Sequence, residues 1–326
     1  MHILIVNNSA IPALKYGGTE RVLWWLGKVL VKMGHKISYL VAKGSSCPFA
    51  DVYVLDDTVP FNSQVPEGVD LIHLFIGVNE KPTKPYIKTL EGNVTEPIEL
   101  DINTVFVSHN HASRYGSERF VHNCIDVADY GKPDLTSKRK YIHFLADAAW
   151  RVKNVRGAIQ LARRAAVPLE VIGGVRFNFN MGIRLTFDLN THFNGMLGGD
   201  EKNKAINGSK GLLFPVLWHE PFGIAIVESL YFGCPVIGTP YGSLAELVPN
   251  EVGFLSAKKD ELVQAIKNID SFDASTCHKY VMDNFTADKM AFQYLSLYEK
   301  VLNGENLNTL PPKLIEVQKE KFLPFD

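Results

Sequence analysis

His219-Glu220-Pro221-Phe222-Gly223-Ile224-Ala225-Ile226-Val227-Glu228, followed by Gly233-Cys234-Pro235-Val236-Ile237-Gly238, reads as a loop, an apolar helix, a glycine stop and a buried strand. A helix that feeds straight into a short all-apolar strand is the repeating unit of a parallel sheet covered on both faces. Pro221 suits the first helical position, where its missing N–H costs nothing, and Gly223 lets a ligand approach the backbone. The spacing predicts free N–H groups from Phe222 to Ala225 at the helix mouth, a place for a phosphate or a polar sugar. Glu220 would lie at that mouth, with Glu228 about two turns further in and offset by roughly 80°. Carboxylates on a helix built from Ile224, Ile226, Val227 and Leu230 are costly to bury unless something hydrogen-bonds them, as sugar and ribose hydroxyls do. The plain alternative is one glutamate favouring the helix dipole and another on a solvated face.

The same alternation runs through the chain. Ile3 to Val6 is an apolar run, Tyr16-Gly17-Gly18 a turn, and Val22, Leu26, Val29, Leu30 and Met33 recur at helical spacing up to Gly34. With Ile37 to Val41 next, this is a crossover unit of a parallel sheet. Val52 to Leu55, Leu71 to Phe75, Tyr86 to Leu90 and Thr104 to Val107 extend it. A second series opens near Tyr141, with strands at Ile142 to Leu145, Leu169 to Ile172, Gly211 to Pro215 and Val236 to Gly238, and a helix at Val155 to Ala165. At 326 residues the chain suits two domains of ~150 residues. The fold class is α/β, two doubly wound Rossmann-like sheets facing a central cleft where ligands bind. The polar, basic stretch from Asp134 to Lys140 sets the expected boundary. Residues 1–138 form the first domain and 139–302 the second. Residues 303–326 form an arm packing back on the first, with a short helix at Leu314 to Phe322.

Composition bounds the function. Hydrophobic content of 46%, charged content of 21% and a net charge of −1 are those of a globular protein with no global pull toward nucleic acid. Cys47, Cys124, Cys234 and Cys277 form no C-x-x-C pair, so neither zinc nor a disulfide framework is indicated, and a reducing cytoplasm is the expected location. There is no G-x-G-x-x-G and no acidic residue closing the strand at Leu40-Val41-Ala42, which argues against hydride chemistry. No D-x-D is present to hold a diphosphate through a metal, and His109 and His111, at an expected strand end, lack an evident third ligand. Gly17-Gly18 opening a helix at Thr19 has the layout of a phosphate loop or of a plain tight turn. Arg151, Lys153 and Arg156 place cations where a departing diphosphate would need them. Arg21, Lys28, Lys32 and Lys36 share one stripe of the first helix beside Trp25, either a solvated face or a contact for an anionic membrane surface or lipid-linked acceptor.

In Tyr16 to Arg21, Phe120 to Asp126, Lys153-Asn154, and Glu220 to Glu228 with Gly233 to Gly238, the chain resembles the retaining nucleotide-sugar glycosyltransferases of family 4, of GT-B architecture. The resemblance implies a UDP- or GDP-sugar donor, a sugar, glycan or lipid-linked acceptor, and no further cofactor. Gly17 and Gly18 would approach the donor diphosphate and Lys153 would neutralise it, with Arg151 as a substitute for the family's usual arginine, whose place reads Ala146-Asp147. Glu220 and the backbone of Phe222, Gly223 and Ile224 would hold the sugar, Glu228 the ribose, and Gly173-Gly174 would lie near the base. Tyr241 to Glu246 would flank the pocket. Glu91 stands where members often carry a histidine, either hydrogen-bonding the sugar, attacking it as a nucleophile, or marking a weakened enzyme. A catalytically silent binding or scaffolding protein and a nucleotide-sugar epimerase are the alternative readings.

Overall fold

The computed structural model describes residues 1–13, 17–315 and 317–326. The chain forms two compact units, residues 1–126 with 285–317, and residues 127–284 with 318–326. The first begins with β1 (His2–Val6), α1 (Gly18–Lys32), β2 (Lys36–Val41), β3 (Asp51–Val54), β4 (Leu71–Leu74), β5 (Tyr86–Leu90), β6 (Thr104–Phe106) and α2 (His109–Ser113). All six strands pair in parallel in the order β3-β2-β1-β4-β5-β6, and β1 is buried along its whole length. Strands covered on both faces read as unbroken apolar runs, which is why Ile3 to Val6 is legible.

The second unit continues with β7 (Tyr141–Leu145), α3 (Val155–Ala165), β8 (Leu169–Ile172), β9 (Phe177–Asn178), β10 (Arg184–Leu185), β11 (Thr191–Phe193), α4 (Gly199–Asn207), β12 (Ser209–Phe214), α5 (Ile224–Tyr231), β13 (Val236–Gly238), α6 (Leu244–Leu247), β14 (Gly253–Leu255), α7 (Lys259–Lys267) and α8 (Ala274–Asn284). Its parallel sheet runs β11-β8-β7-β12-β13-β14, and β9 and β10 form a separate antiparallel hairpin. Ile142, Phe144, Leu161, Leu169, Val171 and Leu213 are buried together between this sheet, α3 and α7. Each such side chain contributes about 1.5–3 kcal/mol of burial. The last helix, α9 (Ala287–Leu302), belongs to the first unit.

The unit boundaries differ from those expected at 138/139 and 302/303. Asp134 to Lys140 is largely exposed, yet it belongs to the second unit. The Arg139 guanidinium donates to the carbonyls of Ser209 at 3.0 Å, Gly233 at 3.0 Å and Phe232 at 2.5 Å, tying the stretch to the second unit. Helix α9 joins the first unit through a buried polar chain. Tyr298 meets His73 Nδ1 at 2.8 Å, His73 Nε2 meets Thr89 at 2.7 Å, and Thr89 meets Tyr294 at 2.9 Å. The terminal arm divides as well. Asn308 and Leu314 pack in the first unit, whereas the Leu323 amide donates to Leu217 and the Lys259 amide donates to the Asp326 carbonyl in the second. No helix forms over the described residues between Leu314 and Phe322.

Two local expectations change. Lys36 lies on β2 rather than α1, so the cationic stripe is broken. Lys28 is ion-paired with Asp126 at 2.6 Å, and Arg21 donates to the Gly17 carbonyl at 3.1 Å. His109 and His111 sit on α2, capped by Ser108, rather than on an extended strand end. No group of metal-ligating side chains is present among the described residues, and none of their helices is long and apolar enough to cross a membrane.

Candidate functional site

The stretch around Glu220 departs from its simple helical reading. Helix α5 starts at Ile224, with Gly223 before it at φ +86°, so Pro221 and Phe222 lie in the preceding loop. That loop is held by the Tyr241 to Glu246 segment. Glu220 bridges Gly242, the Ser243 amide donates to the Glu220 carbonyl at 2.9 Å, and the Ser243 hydroxyl donates to the Phe222 carbonyl at 2.6 Å. Gly242, at φ +65°, has no room for a side chain, because a Cβ would sit 2.2 Å from the Glu220 nitrogen. Glu228 therefore lies just over one turn into the helix rather than two.

Lys153 and Glu220, expected as separate contacts, form a buried ion pair. The ammonium donates to both carboxylate oxygens, at 2.8 and 2.6 Å, and the Trp218 indole N–H donates to Oε2 at 2.7 Å. Both residues are under a tenth exposed. The ammonium also lies 4.9 Å from the Trp218 ring centroid, 5.3 Å from Trp150 and 5.4 Å from Phe214. Aromatic faces attract a cation that has left water. Lys153 ends a short 3-10 turn, Arg151–Lys153, and Asn154 follows at φ 59° as the cap of α3, accepting from the Gly157 amide at 3.0 Å.

Glu228 is 2% exposed and also paired. Its Oε1 accepts from the Tyr130 hydroxyl at 2.7 Å and from the Lys202 ammonium on α4, which lies 5.2 Å from the Tyr130 ring centroid. Next to it, Ser229 meets His143 Nε2 at 2.9 Å, while His143 Nδ1 meets Ser209 at 2.8 Å, pinning α5 to the sheet. Lys202, Tyr130, Trp150 and Trp218 escaped the sequence reading. Lys202 lies in Gly199-Asp200-Glu201-Lys202-Asn203-Lys204, which reads as a solvated helix with no periodic cue to its burial.

Arg151 is placed elsewhere. It is exposed, its guanidinium lies 5.1 Å from the Phe322 ring centroid, and it lines a cavity of about 310 Å³ whose walls include neither Lys153, Glu220 nor Glu228. Gly173 adopts φ +118° and packs tightly on its neighbour: a Cβ there would fall 2.1 Å from the Ala146 carbonyl oxygen. Close approach of β8 to the loop after β7 thus accounts for this glycine without a ligand.

In the first unit, Gly17 caps α1 at φ +149° and Gly18 is the first helical residue; Tyr16 lies outside the described residues. A Cβ on Gly17 would sit 2.7 Å from a Glu20 carboxylate oxygen. Glu91 accepts from the Asn123 side-chain amide at 2.7 Å through Oε2, while Oε1 is buried without a hydrogen-bond partner among the described residues. Burial, reinforced by the Glu20 charge and opposed by the Asn123 bond, pushes its carboxyl up to about 7.

This architecture is the GT-B glycosyltransferase fold. The chain superposes on the structure of AviGT4, a glycosyltransferase involved in avilamycin A biosynthesis, with a TM-score of 0.75 at 18% identity, covering 93% of this chain and 98% of that one. It also superposes on HepE of Anabaena in complex with UDP-glucose, with a TM-score of 0.66 at 16% identity, covering 92% and 99%. Residues 129–276, which hold Lys153, Lys202, Glu220 and Glu228, match the family model for glycosyl transferases group 1. A probable sucrose-phosphate synthase of Thermosipho melanesiensis is 31% identical over 113 residues, 33% of this chain. The match spans only 25% of that relative's length.

Proposed function

We propose that the protein is a retaining, family 4 glycosyltransferase that moves a sugar from a UDP- or GDP-sugar to a sugar, glycan or lipid-linked acceptor, without a metal ion and in the cytoplasm. The Lys153–Glu220 pair carries this reading. A buried ion pair is seldom worth its desolvation for stability alone, and this one lies beside the loop that opens α5, within the segment matching group 1 glycosyl transferases. In the donor complex Glu220 accepts hydrogen bonds from sugar hydroxyls and Glu228 from the ribose. Lys153 offsets the charge that grows on the diphosphate as its bond to the anomeric carbon breaks. The departing phosphate oxygen takes the proton of the acceptor hydroxyl on the same face of the sugar, which preserves configuration. The HepE complex with UDP-glucose supports a nucleotide-sugar donor for this fold.

Titration calorimetry over UDP-, GDP- and ADP-sugars, paired with a donor hydrolysis and transfer assay, tests the reading. One donor is expected to bind and turn over. Binding without hydrolysis or transfer favours the silent protein, and conversion to an epimer without acceptor favours the epimerase; either outcome overturns the transferase.

A further inference from the structure

The β9–β10 hairpin is turned inside out. From Val175 to Leu189 the apolar side chain at every odd position is exposed, while Asn178, Arg184 and Thr186 between them are buried and Arg176 is half-buried. Period-2 alternation ordinarily sends the apolar face inward. Here the inward face is polar, and its Asn178 and Arg184 wall the 310 Å³ cavity together with Arg151, Arg156 and the first residues of α3.

The inward face is only partly satisfied by the protein itself. Arg184 donates to the Val175 carbonyl and the Thr186 hydroxyl, both at 2.8 Å, but its Nε is buried without a partner among the described residues. Burial and the neighbouring Arg156 both lower the pKa of Arg184 from its usual value, so its charge is held at a cost. Arg156 is exposed and donates to the Ile183 carbonyl at 2.7 Å, bringing a second guanidinium to the rim; Arg151 supplies the third. No carboxylate is among the described residues lining the cavity. The α3 N-terminus opens onto it at Asn154, Val155 and Arg156, adding the positive end of a helix dipole. Met181, Ile183, Leu217 and Phe322 form an apolar remainder of the wall.

We infer that this cavity binds a small organic phosphate monoester, its phosphate among Arg151, Arg156, Arg184 and the α3 N-terminus and its organic body against Phe322 and Leu217. The buried Arg184 Nε and the two exposed guanidinium groups, with no acid among the described lining residues, match a dianionic phosphate better than a singly charged carboxylate. The volume lies at the small end of ligand pockets, suited to a phosphorylated sugar or triol rather than a whole nucleotide sugar. The assignment is independent of the donor reading, since it uses none of Lys153, Glu220 or Glu228.

Calorimetry on the full chain with glucose 6-phosphate, glycerol 3-phosphate, glucose and inorganic phosphate tests it, with circular dichroism on every variant. At least one ester is expected to bind, more tightly than inorganic phosphate and much more tightly than glucose, with affinity falling as salt is raised. Arg156→Glu, at an exposed position, is expected to weaken binding about tenfold or more with the fold intact, and Arg156→Lys to retain most of it. Ester binding is expected to persist in Glu220→Ala and in the presence of UDP. Four results overturn the site: neither ester binds, inorganic phosphate binds as tightly, folded Arg156→Glu binds unchanged, or UDP displaces the ester. Loss of donor turnover with ester binding intact counts against the donor reading alone.

Discussion

Lys153 Nζ lies 2.8 and 2.6 Å from the two carboxylate oxygens of Glu220, with the Trp218 indole N–H 2.7 Å from one of them. Each charge is the other's main compensation inside an aromatic surround. Lys153→Ala leaves a buried carboxylate whose remaining donor is Trp218, and the expected cost is about 3–5 kcal/mol of stability in the second unit. Replacing both residues, as Lys153→Met with Glu220→Gln, removes both charges and is expected to cost less than Lys153→Ala alone. Urea unfolding followed by circular dichroism and tryptophan fluorescence checks this. A double variant no more stable than Lys153→Ala shows that the charges are not coupled.

Turnover should respond differently from stability. Lys153→Ala and Glu220→Ala are each expected to lower donor turnover by about a hundredfold or more, the scale of one lost transition-state contact. Assays at a temperature where both variants remain folded separate the two effects. Unchanged turnover in both sinks the site.

Lys202 is a positioning residue for Glu228, reaching the carboxylate from α4. Lys202→Met is expected to raise the donor KM several-fold while changing kcat less, because the ribose contact proposed for Glu228 would be made in ground state and transition state alike. Glu228→Gln should shift KM in the same direction. An effect confined to kcat contradicts the ribose role.

Gly242 holds the Glu220 loop from below. Its φ of +65° and the 2.2 Å approach of a Cβ to the Glu220 nitrogen leave no place for alanine. Gly242→Ala is expected to displace the loop, lowering turnover and destabilising the second unit by more than the ~1 kcal/mol typical of a glycine change. Gly304→Ala is the control for backbone strain alone, with φ +81° and open space around its Cβ. Equal effects of the two on turnover count against a loop-positioning role.

The sheets were legible because strands buried on both faces are continuous apolar runs; Tyr86–Leu90, Leu169–Ile172 and Val236–Gly238 match their expected bounds. The two edge strands of the second sheet, β11 and β14, are each buried at only one of three positions and lack the signal of a strand covered on both faces, unlike the equally short Val236–Gly238. The hairpin from Val175 to Leu189 does carry a signal, strict alternation around Asn180-Met181-Gly182, though the alternation alone does not say that its apolar face is the outer one. At the candidate site, Glu220, Glu228 and Lys153 stood out by motif. Their partners Tyr130 and Lys202 did not, because pairing across 98 and 26 residues is set by tertiary packing, and neither did Trp218, two residues from Glu220 but part of no motif.

Glu91 gives the first unit a distinct pH response. Its carboxyl holds its proton up to about pH 7 in the fold, against 4.5 in the unfolded chain. Between those values the native state binds more protons, so the Glu91 contribution makes stability fall as pH rises from 4.5 through 7. His73 and His111, kept neutral by burial with values of about 3 against 6.5, act in the opposite sense: the unfolded chain binds more protons between 3 and 6.5, and stability falls with acid there. The two slopes oppose each other between pH 4.5 and 6.5, whereas from pH 6.5 to 7 Glu91 acts without them. Glu91→Gln removes one slope and keeps the shape. The expected result is a variant whose stability advantage over the native chain grows as pH is raised through 7 and then levels off, read as the difference in urea midpoints across a pH series. A pH-independent difference places Glu91 at an ordinary carboxylate pKa.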